Sequence, residues 1–329
     1  MFVTNAWYVV ALARSIDRRP VRSRLLGDAI VLYRKLNGEL VALRDRCPHR
    51  HAPLSMGVLV GDDLQCRYHG FKFNCAGACI AIPGEKSVPA AAAVKAFTVL
   101  ERYGLVWCWG GDAAQADPAG IPAWQWHGHP GYLSYQTDFV LDAPIGLIVD
   151  NLMDLTHVHF VHKILGADLM VHDSEPMKTW EDAAGVHFRR DLKKPGAPVY
   201  IEIGGDFLAP SAVITYAVPR MEGSDEIQPG PVSQVIHCLT PQDDSSTRYI
   251  ALKCWNVKTQ PHEVAAVHHQ VDVTAAEDKE IIEAQFGNKQ LLGPAPEVLI
   301  RADRAAVLSR RRYDKLVEEE RNRAASTAA

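Results

Sequence analysis

The sequence predicts an α+β protein in two parts: a small all-β unit, then a larger unit in which helices accompany an antiparallel sheet. Three observations lead there. Short β-rich runs and tight turns fill the chain up to Gly110, a Gly/Ala/Pro segment follows, and a series of longer β-rich runs then lies between two helical stretches. A chain of 329 residues has room for two domains, expected at 1–112 and 113–329. Hydrophobic residues make up 47% and charged residues 22%, the balance of a globular protein with a substantial core.

In chain order, "DAIVLYRKLNGELVALRD" places two β-rich runs around Asn37-Gly38, a strong hairpin signal. "FTVLERYGLVWCWG" repeats the pattern around Tyr103-Gly104. Two Cys/His-bearing loops lie between these hairpins. "GGDAAQADPAGIPAW" reads as a linker. Strands are expected over Tyr132–Leu141, Val199–Phe207, Ala212–Val218, Ser233–Thr240 and Tyr249–Val257. Helices are expected from Pro144 to His162, from Pro261 to about Phe286, and from about Glu297 to Arg321. On the last, Ala302, Ala306, Tyr313 and Val317 share a face, "SRRR" and "EEE" are solvated, and "AASTAA" is a frayed tail.

Bulk properties exclude several classes. A formal net charge of -4 offers no footprint for nucleic acid. No apolar run approaches the ~18 residues of a membrane span. "MFVTNAWYVV" lacks the basic start, apolar run and cleavage site of a leader, so the expected location is the cytoplasm. Seven cysteines, an odd number in a large chain, argue for metal ligands rather than a disulfide framework.

The first candidate site is the pattern C-x-H, sixteen residues, C-x-x-H: Cys47, His49, Cys66 and His69. Two thiolates and two imidazoles suit zinc or an iron–sulfur cluster. Zinc modules usually group their cysteines as C-x(2–4)-C and their histidines separately. Here each box supplies one of each, which fits a Rieske [2Fe–2S] centre, with zinc as the alternative. His51 is read as lying on the rim rather than as a ligand. Cys75 and Cys79, a lone C-x3-C, are read as turn and strand cysteines near the cluster, and Cys108, Cys238 and Cys254 as core.

The second candidate site is "DNLMDLTHVHFVH". At ~100° per residue, Asn151, Asp154 and His157 share a helix face, while His159 points away. His157 and His162 converge on one ion only if the helix ends between them. The expectation is an end near His157–Val158, with His162 arriving from the next turn. A mononuclear non-haem Fe(II) site needs two His and one carboxylate. On the helix after Pro261 the apolar stripe is Val264, Val267, Val271, Thr274, Ala275, Ile281 and Ile282. Asp278 falls on that stripe, and Glu277 and Asp272 fall off it. A carboxylate on a core-facing stripe is costly unless paired or metal-bound.

"CPHRHAPLSMG…CRYHGFKF" resembles the Rieske boxes of ring-hydroxylating oxygenases. Ala52 and Tyr68 stand where respiratory-complex Rieske proteins carry extra cysteines. "NLMDLTHVHFVH" is similar to the N-x-x-D-x-x-H-x4-H motif of the Rieske non-haem iron oxygenases, and "AAEDKEIIEAQ" to the segment that supplies their iron-binding Asp. "NAWYVVAL", "IPG", "ERYGLVWCW" and "IVDNLMDLTH" resemble the group containing vanillate O-demethylase, toluenesulfonate methyl-monooxygenase and dicamba O-demethylase oxygenase subunits.

The resemblance implies a Rieske β-domain plus a helix-grip (START-like) catalytic domain. It implies His157, His162 and Asp278 as iron ligands, Asp154 as a carboxylate bridging an iron-ligating His to a cluster His of a neighbouring subunit, and Asn151 as a polar group near the iron. It also implies a ring assembly, commonly a trimer, and a separate NAD(P)H-dependent reductase. No G-x-G-x-x-G follows a strand here. The activity implied is O2-dependent hydroxylation of a methyl or methoxy group of an aromatic acid. Arene cis-dihydroxylation, N-demethylation and hydroxylation of a non-aromatic ring are alternatives within the same chemistry. A Rieske electron carrier fused to a ligand-binding domain is the alternative of another class. "HFRRDLKK" is read as a solvated strand or as a lure for an acidic substrate.

Overall fold

The computed structural model describes residues 1–124, 126–127, 129–165, 177–193, 196–224, 226–230, 232–256, 260–293 and 295–328. Lys194 and Val257, at the ends of two expected segments, lie outside them. The chain forms two compact units: Met1–Ala123 with Thr240–Asp244, and Trp124–Leu239 with Ser245–Ala329. Among the described residues, no helix is long and apolar enough to cross a membrane.

The first unit is all β. Its strands are β1 (Trp7–Leu12), β2 (Val21–Leu25), β3 (Asp28–Arg34), β4 (Leu40–Arg44), β5 (Val58–Val60), β6 (Asp63–Gln65), β7 (Lys72–Phe73), β8 (Cys79–Ala81), β9 (Val99–Arg102) and β10 (Leu105–Trp109). They form three antiparallel sheets, ordered β1-β10-β9, β2-β3-β4 and β5-β6-β7-β8. β1 and β10, rich in aromatic and β-branched residues, are buried along their whole length. Both expected hairpins are present. The β9–β10 turn puts Tyr103 at φ 58° and Gly104 at φ 69°, the doubly positive turn that matches strand twist. One core gathers Tyr8, Val10, Leu25, Ile30, Leu32 and Val106. A second gathers Val31, Tyr33, Leu43, Leu54, Leu64 and Phe73 around Cys47 and Cys66. Cys75 and Cys79 pack against that second core, and Cys108, Cys238 and Cys254 are buried, as expected.

The segment after Gly110 is not a free linker. It makes two short 3₁₀ turns, each opened by an Asp whose carboxylate accepts a main-chain N–H two residues on. The Trp109 and Trp7 indoles donate to the Asp112 and Asp117 carbonyls, both at 2.8 Å. Composition alone could not reveal these contacts, of which the one from Trp7 spans 110 residues.

The second unit contains β11 (Leu133–Leu141), helices α1 (Ile145–Leu152) and α2 (Val158–Val161), then β12 (Lys178–Glu181), β13 (Val186–Leu192), β14 (Val199–Leu208), β15 (Ala212–Met221), β16 (Ser233–Asp243) and β17 (Ser246–Trp255). Helices α3 (Pro261–Leu292) and α4 (Arg304–Ala328) end it. The seven strands make one sheet ordered β11-β17-β16-β15-β14-β13-β12. α1, α3 and α4 bury Leu147, Ile148, Leu152, Ile282, Ala305 and Ala306 with Val186, Phe188 and Phe207 from the sheet. This is the α+β architecture expected.

Four readings change. β12 and β13 extend the sheet where only "HFRRDLKK" was noticed, and that strand is half-buried: Val186 and Phe188 are inside. α4 starts at Arg304, seven residues later than expected, because Asp303 caps Ile300 N–H and opens a 3₁₀ turn first. The helix runs on through Ala328 instead of fraying. Glu320, in the supposedly solvated "EEE", is buried.

An ion pair ties α1 to α4: Arg310 Nε lies 2.7 Å from Asp150 Oδ1, and Arg310 also holds Glu297. Burial pushes the Asp150 carboxyl up to about 6, against the pull of Arg310. The folded chain therefore binds this proton more tightly than the unfolded chain does. The stability it brings is full below about pH 4 and is lost as pH rises through about 6. The stability of the parent relative to Asp150→Asn should fall by up to about 3 kcal/mol from about pH 4 to about pH 7. Urea-unfolding midpoints would show it, and a difference that stays flat or grows with pH would contradict it.

Candidate metal centres

The two Cys/His boxes are built alike. The Cys47 carbonyl accepts from His51 N–H at 2.9 Å, and the Cys66 carbonyl accepts from Gly70 N–H at 3.0 Å. Each box thus closes the same turn, with the residue four beyond the cysteine in the left-handed region: His51 at φ 59° and Gly70 at φ 75°. At Gly70 a Cβ would lie 2.8 Å from Pro83 Cγ, so glycine fits where a side chain would crowd the ring. His51 takes the same conformation at about 1–2 kcal/mol. Its exposed ring sits 3.1 Å from Arg46 Nη2. The buried Asp45 accepts from Ser55 N–H at 2.6 Å and Ser55 Oγ at 2.7 Å, anchoring the first loop.

The donors are sorted by depth. Cys47 and Cys66 are buried, whereas His49 and His69 are exposed. The two imidazoles lie with ring centroids 4.6 Å apart, His49 stacks on Phe71 and Tyr68 leans on His69. Burial pushes the Cys47 thiol up to about 11, so metal uptake must displace its proton. The Cys/His set does not close on one point as four zinc ligands would. Among the described residues, only His157, His162 and Asp278 bring three ligand atoms within 4.8 Å of one another. A deep thiol pair and an outer imidazole pair suit two irons instead.

The second centre forms where α1 stops. Met153 N–H still reaches the Val149 carbonyl, but Asp154 turns extended, at φ −134° and ψ 101°. Its carboxylate accepts Thr156 N–H at 2.9 Å, opening a new 3₁₀ turn. α2 follows, and His162 comes just after it. The break needed to bring His157 and His162 together is therefore present, but it lies at Met153–Asp154, before His157. Asn151, Asp154 and His157 consequently do not share one helix face.

Asp278 of α3 meets both histidines, its Oδ1 being 3.4 Å from His157 Nε2 and 3.3 Å from His162 Nε2. The His157 Nδ1–H donates to the Asp154 carbonyl at 2.7 Å, and the His162 Nδ1–H donates to Glu277 Oε2 at 3.0 Å. Both acceptors can only accept, so each ring turns its Nε2 toward Asp278. These separations fit neighbouring ligands on an ion bonded at about 2 Å. Asn151 Nδ2 donates to Asp278 Oδ1 at 3.1 Å and lies 3.4 Å from His157 Nε2. Burial would raise the Asp278 pKa, but the His157 and His162 rings outweigh it and hold the carboxyl well below its ordinary range. Burial likewise would lower His162, and Asp278 and Glu277 outweigh it upward. Asp278 therefore keeps a negative charge that a cation would find. Two imidazoles and one carboxylate are the donor set of a mononuclear non-haem iron site with open positions.

Three details were not legible. Glu277, off the apolar stripe, nevertheless orients His162, accepting from its Nδ1–H while Nε2 faces Asp278. Asp154 meets His157 through its main-chain carbonyl, not its carboxylate. His159, expected on the outer side of the helix or at a subunit contact, instead lines the cavity with His157 and Phe160.

The cavity, about 480 Å³, opens onto the trio. Leu155, Ile203, Val235, Ala251 and Val271 give it apolar walls. His237 bridges Thr215 Oγ1, at 2.9 Å, and the Tyr249 hydroxyl. Burial pushes the His237 pKa down to about 4, so the ring is neutral near pH 7.

A β unit with a cluster-type donor set, and a sheet-and-helix unit with a two-histidine, one-carboxylate trio facing a cavity, define a two-centre redox metalloprotein. Residues 6–97 match the Rieske [2Fe-2S] domain and residues 141–319 the vanillate O-demethylase oxygenase C-terminal domain. The chain belongs to the Rieske non-haem iron oxygenases, as an oxygenase component. Its cofactors are a [2Fe–2S] cluster and a mononuclear iron. The oxygenase component of dicamba O-demethylase from Stenotrophomonas maltophilia is 34% identical over 337 residues, 97% of this chain and 99% of that one. A vanillate O-demethylase oxygenase subunit from a Pseudomonas species is 30% identical over 98% of this chain and 97% of its own length. A putative toluene-4-sulfonate monooxygenase iron–sulfur subunit from Comamonas testosteroni is 43% identical over 175 residues, 51% of this chain and 49% of that protein. The crystal structure of dicamba monooxygenase bound to dicamba superposes with a TM-score of 0.84 at 31% identity, covering 98% of this chain and 99% of that one.

Proposed function

We propose that the protein hydroxylates a methyl or methoxy group of an aromatic acid, using O2 and electrons from a separate NAD(P)H-dependent reductase. The observation that carries this reading is the apolar-walled cavity with His157, His162 and Asp278 in its lining. The names of the dicamba and vanillate O-demethylases and of the toluenesulfonate monooxygenase support it. Residues 1–112 carry the cluster on Cys47, His49, Cys66 and His69, and residues 113–329 carry the iron. Bound iron supplies O2 activation and attack on the substrate methyl group.

The chain's own residues do the rest. The Asp154 carbonyl and Glu277 fix the two imidazoles, and Asn151 steadies Asp278. The apolar walls hold a ring and exclude water. An O-methyl carbon, once hydroxylated, leaves as formaldehyde and frees a phenol, whereas an aryl methyl stops at the alcohol. The Asp154 carboxylate, on the turn beside His157, is the proposed bridge to the cluster of a neighbouring chain in a homotrimer. The proposed location is the cytoplasm.

Aerobic turnover with a reductase, NADH and a panel of methoxylated and methylated aromatic acids tests the reading. Formaldehyde with the matching phenol, or the hydroxymethyl product, is expected. A cis-diol, or no product from any member, would refute it.

A further inference from the structure

Tyr249, Ala251 and Lys253 alternate along β17 and all line the cavity, as Ser233, Val235 and His237 do along β16. The Lys253 side chain therefore belongs to the cavity wall rather than to solvent. Among the described residues its ammonium has no hydrogen bond and no ion pair. Burial alone acts on it, holding its pKa below the ordinary lysine range. Arg190, another cation of the lining, differs: Asp154 acts on it electrostatically. A desolvated ammonium without a counter-ion is costly to keep. The cost is offset when an anion enters. Along β17, Lys253 lies four residues beyond Tyr249 and opposite Tyr135, whose hydroxyl meets Asp272, six residues or about 9 Å before Asp278 on α3. Lys253 thus stands at the part of the cavity away from the trio.

We propose that Lys253 binds the anionic group of the substrate, a ring-borne carboxylate or sulfonate, and so turns the opposite end of the ring toward His157, His162 and Asp278. This rests on the proposed methyl hydroxylation of an aromatic acid and adds the residue that reads the acid. Arg190, with Asp154 acting on it, is less free to accept a new anion. His237, with both ring nitrogens engaged, can offer only a neutral contact.

Equilibrium dialysis of the oxidised holoenzyme tests the assignment with three probes: 3-methoxybenzoate, its neutral amide, and 4-methylbenzenesulfonate. A hydrogen bond to a charged group contributes about 1.5–3 kcal/mol, or roughly 10- to 100-fold in affinity. Lys253→Met should weaken one or both anions by about that factor, the arms showing which, while the amide changes less than about threefold. Lys253→Arg should recover most of the loss, and in turnover by the methionine variant KM should rise and kcat fall, because the ring is no longer held toward the trio. Lys253→Gln keeps the test open should the methionine variant fold poorly, with cluster absorbance and iron content as folding checks. The assignment fails if the variants bind both anions as the parent does, if they lose anion and amide equally, or if the parent prefers the amide. Anions held through Lys253 with no hydroxylated or demethylated product would instead uphold the assignment and refute the methyl hydroxylation.

Discussion

Asp278→Ala should strip the mononuclear iron while leaving the cluster in place. Two neutral imidazoles and one carboxylate give a dication its only formal negative charge, and Asp278 Oδ1 lies 3.3–3.4 Å from both histidine Nε2 atoms. Without it two neutral nitrogens remain, and the Asn151 amide, 3.4 Å from His157 Nε2, is neutral and does not replace the lost charge. Loss of a supporting partner in a metal site costs about 10–100-fold in affinity, and loss of a ligand should cost more than that. Metal analysis should show iron falling to the content of the cluster alone, the visible spectrum of the cluster should persist, and product formation should drop more than about 100-fold. Asp278→Asn keeps the shape and the contact to Asn151 but not the charge, and should fare little better. Parent-level iron and turnover in the alanine variant would remove Asp278 from the site.

Glu277→Ala should weaken iron binding by about 10–100-fold without removing any ligand. Its carboxylate accepts the His162 Nδ1–H at 3.0 Å, which fixes the tautomer and aims Nε2 at Asp278. His162 is 3% exposed, so the alanine variant strands a buried N–H at about 1–3 kcal/mol. Glu277→Gln retains an acceptor oxygen and should fall between parent and alanine. Competition of the holoenzyme against a chelator reads this directly, independent of substrate. Equal iron retention by parent and Glu277→Ala would show that His162 is oriented by its packing alone.

The legible parts share one property: each is encoded over a few neighbouring residues. The Asn37-Gly38 and Tyr103-Gly104 hairpins rest on turn residues that tolerate positive φ. The Cys/His boxes rest on C-x-H and C-x-x-H spacings, and the two turns that present them close within five residues. The choice of Asp278 over Asp272 also came from local periodicity, since it is Asp278 that meets the two histidines. Asp272 instead accepts from the Tyr135 hydroxyl at 2.8 Å.

Readings failed where the deciding contact lies far along the chain, or where one residue has two local options. β12 and β13 carry charges that mask the alternation of Val186 and Phe188, and only packing against α4 and the rest of the sheet makes that face inside. The Gly/Ala/Pro segment looks like a linker until two tryptophan indoles claim its carbonyls. The α1 break was placed several residues late because an Asp at position 154 can continue a helix or cap a new turn. Its carboxylate took Thr156 N–H, and α1 ended there.

By itself, then, the sequence determined the α+β class and the family and pointed to two candidate donor sets, because ligand type and short spacing are local chemistry. Tertiary structure alone decided that Glu277 serves His162 and that Lys253 faces the cavity without a partner among the described residues. Those two roles depend on which side chain arrives from an element more than a hundred residues away, or on none arriving, and helical or strand periodicity within one element carries no record of its neighbours.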